Sequence, residues 1–410
     1  MLNKIREGSW NFIIKRKEII FFIIITLLSL LIRTLPIEFE SGDMYYYLKV
    51  WHEEIKNGGG FAALKNDIGD YNIPYLVIIT WLTYLPISCE LGVKIVSIFF
   101  DYVLAIGCML LTRKLLKDNS KKNFYALLTY AITLLLPAMI YNSACWGQCD
   151  TIYVAFAIYA LLFFIEEKYI RAFIFFGISF SFKLQCVFLL PAFLLVYIQK
   201  RKFPLVYFLI IPLVNIAMCS PALFAGRPFM DVMKIYFDQT ETYQSRIVLN
   251  TPSIHNLYLQ ADDERMVKAP RDFTGKIGTL VTISLFGIFA FISLYKKKDF
   301  DEKAVLSLSI WSVMICVFML PSMHERYGLI AEVLSIVYFI VYKEKLYLPI
   351  TLNLSALMVY SNYMYDGNAF PLEYISLAYF IVLVLFTKDI YKKYFDIETE
   401  EKLMLENAKK

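Results

Sequence analysis

The chain has 410 residues, 59% of them hydrophobic and 19% charged, with a mean hydropathy of +0.55 and a formal net charge of +5. Soluble domains are about 45–50% apolar and about 25% charged, so this composition excludes an ordinary soluble protein. Its basic residues sit in short clusters between apolar blocks, which argues against nucleic acid as a partner, and seven scattered Cys, an odd number, argue against a disulfide scaffold.

Apolar runs long enough to span a bilayer, each about 20 residues or somewhat fewer where half-buried in protein, set the organisation. The first, 19–32, continues without a small-residue cleavage site and reads as a span rather than a leader. Candidate spans are 18–37, 91–111, 124–141, 151–165, 172–182, 184–198, 203–224, 277–295, 304–321, 328–342, 347–361 and 372–387. The expected fold is an all-α polytopic membrane protein, one integral-membrane domain over 1–410 with about twelve transmembrane helices. A further run, 73–87, is interrupted by Pro74 and Pro86. If it does not cross, the segments predicted inside hold 27 of the 41 Lys and Arg residues, as the positive-inside rule requires. We therefore read 73–87 as a re-entrant or interfacial helix. Both termini are then cytoplasmic, and the two sizeable loops, 38–90 and 225–276, face outward. The short spans 151–165, 172–182 and 184–198 are tolerated where they line a protein-walled cavity.

Polar residues at membrane depth are costly and mark function by default. Glu38, Glu40 and Asp43 follow the first span, with Tyr45, Tyr46, Tyr47 and Trp51 close behind. A carboxylate among such neighbours can serve as a general base, and Asp43 is the candidate. Next come Asp70 and Tyr71 before Asn72-Ile73-Pro74, where Asn72 reads as an N-cap. Trp146, Gln148 and Asp150 follow the third span; an aromatic ring with hydrogen-bonding side chains suits sugar, and Asp150 could equally cap a helix. Lys183 and Gln185 stand in an otherwise apolar run, and a buried Lys needs either an internal ion pair or a phosphate. Asn250 lies in the large outer loop. Finally His324, Glu325, Arg326 and Tyr327 sit between two spans; Arg offers a planar fork to phosphate, and a Glu325–Arg326 contact is not expected between neighbours on a helix. The three glycines 58–60 lack the Lys and Ser/Thr of a nucleotide loop.

These stretches resemble the GT-C superfamily of integral-membrane glycosyltransferases, in particular its bacterial mannosyl/glucosyltransferase-like members. The likeness rests on the acidic first outer loop with Asp43, Tyr71-Asn72-Ile73-Pro74-Tyr75, Trp146-Gly147-Gln148-Cys149-Asp150, Lys183 with Gln185, Asn250-Thr251-Pro252 and His324-Glu325-Arg326-Tyr327. The resemblance implies inverting transfer of a hexose from a polyprenyl-phosphate sugar to a glycan or lipid-linked acceptor at the outer face. Asp43 would be the base, with Arg326, Lys183 and His324 on the donor phosphate. Asp70, Tyr71, Trp146, Gln148, Asp150, Gln185, Asn250, Glu325 and Tyr327 would contact substrate. The resemblance fixes no cofactor; a divalent cation, Mg or Mn, if used, would fall to Glu40 and Asp43. Members often pair two acids in this loop, whereas here Glu40 and Asp43 are three positions apart. Two other readings of the same polar groups are a transporter or flippase of lipid-linked sugars, and a cell-envelope polymerase or acyltransferase.

The topology is tested with single cysteines in a Cys-free background. One at Asn368 should react with an impermeant thiol reagent from outside and one at Ser120 should not. Outside labelling at Ser120 would make 73–87 a crossing and reverse the sidedness of the polar clusters.

Overall fold

The computed structural model describes residues 2–242, 246–259, 273–295, 300–365 and 369–395. Asn368 and the C-terminal stretch from 396 lie outside the described residues. The chain is helical almost throughout. Its helices are α1 (Leu2–Thr34), α2 (Lys49–Asn57), α3 (Ile73–Leu82), α4 (Cys89–Leu115), α5 (Lys122–Leu135), α6 (Pro137–Ile140), α7 (Asp150–Ile165), α8 (Tyr169–Phe182) and α9 (Leu190–Lys200). They continue as α10 (Ile210–Met218), α11 (Ser220–Ala225), α12 (Phe229–Thr242), α13 (Phe273–Tyr295), α14 (Glu302–Met319), α15 (Leu329–Tyr342), α16 (Tyr347–Met364) and α17 (Leu372–Ile390). The described strands are two-residue pieces, β1 (Val248–Leu249) and β2 (Met323–His324), paired in parallel.

The expected count of about twelve spans is not supported by helix length. Among the described residues four helices are long and apolar enough to cross a membrane: Cys89–Leu115, Gly275–Tyr295, Glu302–Met319 and Leu372–Phe395. A fifth arises if Lys122–Leu135 and Pro137–Cys145, bent by 52° at their break, form one span. Six further apolar helices are shorter. The reason is local. Pro137 cannot continue a helix, because it lacks an N–H and clashes with the preceding turn. At Lys183 the backbone is extended (φ −149°, ψ 139°), which cuts one apolar stretch into α8 and a 3-10 turn leading to α9. α3 has ten residues and rises about 15 Å, half the ~30 Å of a hydrocarbon core, so it cannot cross.

Packing separates an inner layer from an outer one. α14 is buried along almost its whole length, and α7 contributes Ile152, Tyr153, Val154, Ala155 and Ala157 to the same core. Leu27 and Leu31 on α1, Leu280 and Ile283 on α13, and Leu377 and Ile381 on α17 are exposed. Such apolar outer faces are stable only against lipid, and the protein is an all-α membrane protein.

Asn72 joins the segment between α1 and α3 to this core. Its Oδ1 accepts from the Ile73 N–H, as the expected N-cap does. Its Nδ2 donates to the Ser181 carbonyl (2.8 Å), Asn215 Oδ1 (3.1 Å) and the Tyr236 hydroxyl (3.1 Å). Losing the cap costs about 1 kcal/mol, and buried groups left unpaired cost ~1–3 kcal/mol more. Asn72→Ala should therefore lower unfolding free energy in detergent by about 2–4 kcal/mol; a variant within ~0.5 kcal/mol of the parent would show that the loop is held elsewhere.

Candidate functional site

Two π-helical turns bracket the site. One runs Met44–Leu48, directly after Asp43, and the other Tyr141–Cys145, directly before Trp146. Such wide turns inside helices are recurrent at functional sites, because they re-aim the side chains that flank them. After the second, Gly147 takes φ +75°, a left-handed conformation that glycine adopts without penalty. A Cβ at that position would also lie 3.0 Å from Met44 Cε. The reversal at Gly147 presents Trp146 and Gln148 to the same acceptor. Trp146 Nε1 donates to Asp43 Oδ2 at 3.0 Å and Gln148 Nε2 donates to the same oxygen at 2.5 Å. Asp43 Oδ1 accepts from the Tyr363 hydroxyl at 3.0 Å. The Tyr363 ring stacks on Trp146 at 4.5 Å between centroids.

Arg326 faces this group from the β2 side. Its Nε donates to Glu325 Oε1 (2.9 Å), and its Nη1 donates to Gln148 Oε1. Its Nη2 lies 4.0 Å from Asp43 Oδ2, and its guanidinium sits 4.7 Å from the Trp146 ring centroid. The Glu325–Arg326 contact corrects the expectation from helical spacing. The segment is a short strand followed by turns, so the rule that adjacent side chains diverge does not apply. Of the planar fork of Arg326, Nε and Nη1 are engaged within the protein and Nη2 is the arm toward Asp43.

Lys183 has an internal partner. Its Nζ donates to Asp150 Oδ1 at 2.5 Å and lies 5.2 Å over the Tyr71 ring. Asp150 is fully buried, accepts from Asn142 Nδ2 at 2.9 Å, and is 3.8 Å from Arg326 Nη1. Asp150 is not the N-cap, since Cys149 holds that position of α7, and its carboxylate lies against two cations. Tyr71 donates to Gln148 Oε1 at 3.3 Å.

A cavity of about 360 Å³ opens beside this cluster. Asp70, Tyr71, Lys183, Gln185, His324, Arg326 and Tyr327 line it, together with the apolar side chains of Phe182, Val187, Phe188, Leu320 and Met323. Gln185 Oε1 is buried there with no hydrogen-bond partner. Tyr236 and Gln239, which precede the Asn250-Thr251-Pro252 element, also line the cavity, and sequence reasoning missed Thr279 there and Tyr363. An apolar helix surrounds Tyr363, and no local pattern marks it. Asn250, expected at substrate, holds φ +54° and donates to the Val359 carbonyl at 2.8 Å; it is not among the residues that line this cavity.

Electrostatics temper the phosphate-binding expectation. Burial raises the Asp70 carboxyl and, despite Arg326, raises that of Glu325. Burial, reinforced by the Arg326 and Lys183 charges, pushes His324 down to about 3, so its imidazole is neutral at physiological pH. His324 can then offer an N–H but no charge. A divalent cation does not fit the acids proposed for it. Glu40 is bound by Lys49 at 2.6 Å, Asp43 already accepts three hydrogen bonds, and no group of three or more His, Cys, Asp or Glu residues is placed to hold a metal among the described residues.

A stability consequence follows from His324. Its folded value lies below the unfolded 6.5, so its contribution is full above pH 6.5 and is lost as pH falls toward 3. Between pH 7 and pH 5 the parent should lose more thermal stability than His324→Gln; equal losses would place the imidazole in a more hydrated setting.

Residues 71–321 match the family model of glycosyltransferase family 87. The matched stretch contains Tyr71, Trp146, Gln148, Asp150, Lys183 and Gln185, whereas Asp43 and His324 to Tyr327 lie outside it. No curated protein matches the chain.

Proposed function

Because the chain belongs to glycosyltransferase family 87, we propose that it transfers a hexose from a polyprenyl-phosphate sugar to a cell-surface glycan or lipid-linked acceptor, with inversion, at the outer face of the membrane. The observation that carries this reading is the cavity beside Arg326 and Lys183, whose other walls are Phe182, Val187, Phe188 and Leu320. A headgroup with an isoprenoid tail matches that division between polar and apolar walls, and a soluble nucleotide sugar does not. Both chain termini lie on the cytoplasmic side in this reading, as the distribution of basic residues implies.

In the transfer step, the acceptor hydroxyl oxygen forms the new bond to the anomeric carbon. The bond from that carbon to the phosphate oxygen breaks, and its electron pair leaves with the phosphate. Asp43 takes the hydroxyl proton. Its Oδ2 carries two donors while Oδ1 carries one, so Oδ1 has the lone pair to spare. Arg326, through Nη2, and Lys183 meet the charge that grows on the departing phosphate. A phosphate needs no proton to leave, so a single carboxylate suffices, where glycoside hydrolysis uses two.

The alternative of a flippase predicts binding without turnover and is separated by the same assay. Purified protein is given radiolabelled sugar as polyprenyl phosphate or as a nucleotide, with an acceptor extract. Transfer is expected from the lipid donor alone, falling at least ~10²–10⁴-fold in Asp43→Asn with donor binding retained. Arg326→Lys should weaken donor use and Arg326→Ala weaken it further. Transfer from the nucleotide without polyprenyl lipid, or near-parental turnover by Asp43→Asn, would overturn the reading.

A further inference from the structure

Asp43 and Gln148 belong to segments about a hundred residues apart, and both are fastened to one face of α4. Lys94, Ser97 and Asp101 stand at i, i+3 and i+7 on that helix, so they share a stripe. All three are fully buried or within 1% of it. Lys94 Nζ donates to the carbonyls of Ile37 (2.7 Å) and Phe39 (2.5 Å), in the segment that leads to Asp43. Ser97 Oγ donates to the Gln148 carbonyl at 2.7 Å. Asp101 Oδ2 accepts from both sides, from Arg33 Nε at the end of α1 (2.8 Å) and from Ser143 Oγ in the π-turn before Trp146 (2.5 Å).

Nothing in the transfer chemistry needs a lysine, an arginine and an aspartate here. Their burial among apolar helices is costly unless each is matched. Asp101 links the arm that carries Asp43 with the arm that carries Trp146 and Gln148, and Lys94 and Ser97 pin the same two arms at the next turns of α4. We propose that this stripe is a positioning element: it sets the separation of Asp43 from Gln148, and through Gln148 from Arg326, to the accuracy that transfer requires. The inference rests on the proposed role of Asp43.

Misplacement of reacting groups by about 1 Å can cost ~10²-fold in rate while leaving binding intact. The test removes neutral partners, because Asp101→Asn or Lys94→Ala would strand a buried charge or carbonyls and threaten folding. Ser97→Ala, Ser143→Ala and the double variant are compared with Ser309→Ala, a buried serine that bonds only to its own helix at Val305. Each is purified as the full chain in lipid nanodiscs, and turnover is normalised to the stoichiometry of bound polyprenyl-phosphate sugar. The double variant should lose about 10- to 100-fold in kcat at unchanged donor KM, with Ser309→Ala at the parental rate. Parental kcat per bound donor in the double variant, or an equal loss in Ser309→Ala, would overturn the positioning role. Asp43→Asn runs in parallel. If it too retains turnover, the assignment of the base has failed, whereas an inactive Asp43→Asn beside a fully active double variant refutes the stripe alone.

Discussion

Gln148 stands between a carboxylate and a guanidinium, and its amide can serve both in only one orientation. Asp43 can only accept and Arg326 can only donate, so the NH₂ must face Asp43 and the carbonyl oxygen must face Arg326. The oxygen also takes the Tyr71 hydroxyl, and the Gln148 backbone carbonyl takes Ser97. With both ends fixed by opposite requirements, the amide keeps acid and base apart. Gln148 bonds to both partners while Arg326 Nη2 stands 4.0 Å from Asp43 Oδ2. A glutamate here would face Asp43 with like charge, and an alanine would let the pair collapse.

The same logic governs the rest of the cluster. Arg326 and Lys183 are matched by Asp150, Glu325 and Asp43 before any ligand arrives, and burial drives Glu325 toward its neutral form. The cations are thereby close to balanced, and His324 adds none. A site of this kind does not collect phosphate by net charge. Its donors are held in place by carboxylates that share them, and in the proposed reaction affinity for the lipid-linked donor would come largely from burying its apolar part at about 25 cal/mol per Å² along Phe182, Val187, Phe188 and Leu320. The electrostatic contribution is then greatest when new charge develops on the leaving group.

Much of this was legible in the sequence, for a physical reason. Polar residues in a hydrophobic chain stand out because each is expensive, and Asp43, Tyr71, Trp146, Gln148, Lys183 and Arg326 converge as their isolation suggested. Asn72 was readable as a cap because its role is local. What one-dimensional reading missed depends on partners far along the chain. Asp150 was ambiguous until Lys183, 33 residues on, arrived beside it. Tyr363 reaches Asp43 across 320 residues, and one tyrosine among 30 carries no signal. Helix length does not support the span count, because apolar composition does not record where helices stop. The break at Pro137 divides the run 124–141, which hydropathy alone reads as one span, whereas the division at Lys183 was already readable between 172–182 and 184–198.

Those breaks also explain why the cavity exists. Had the stretch before and after Lys183 formed a continuous helix, its side chains would have packed against α14 and α7 along their length, and Lys183 would have pointed from a helix face into lipid or core. The extended residue instead turns Lys183 toward Asp150, while the following 3-10 turn brings Gln185, Val187 and Phe188 to one wall. Shortened helices leave backbone groups that need partners at membrane depth, and these are supplied by side chains such as Ser312, whose hydroxyl donates to the Phe188 carbonyl from the buried face of α14. An amphipathic cavity inside a membrane protein is thus built from interrupted helices closed by polar side chains on an intact one. Ser312 of α14 belongs to that construction as much as the residues that line the opening.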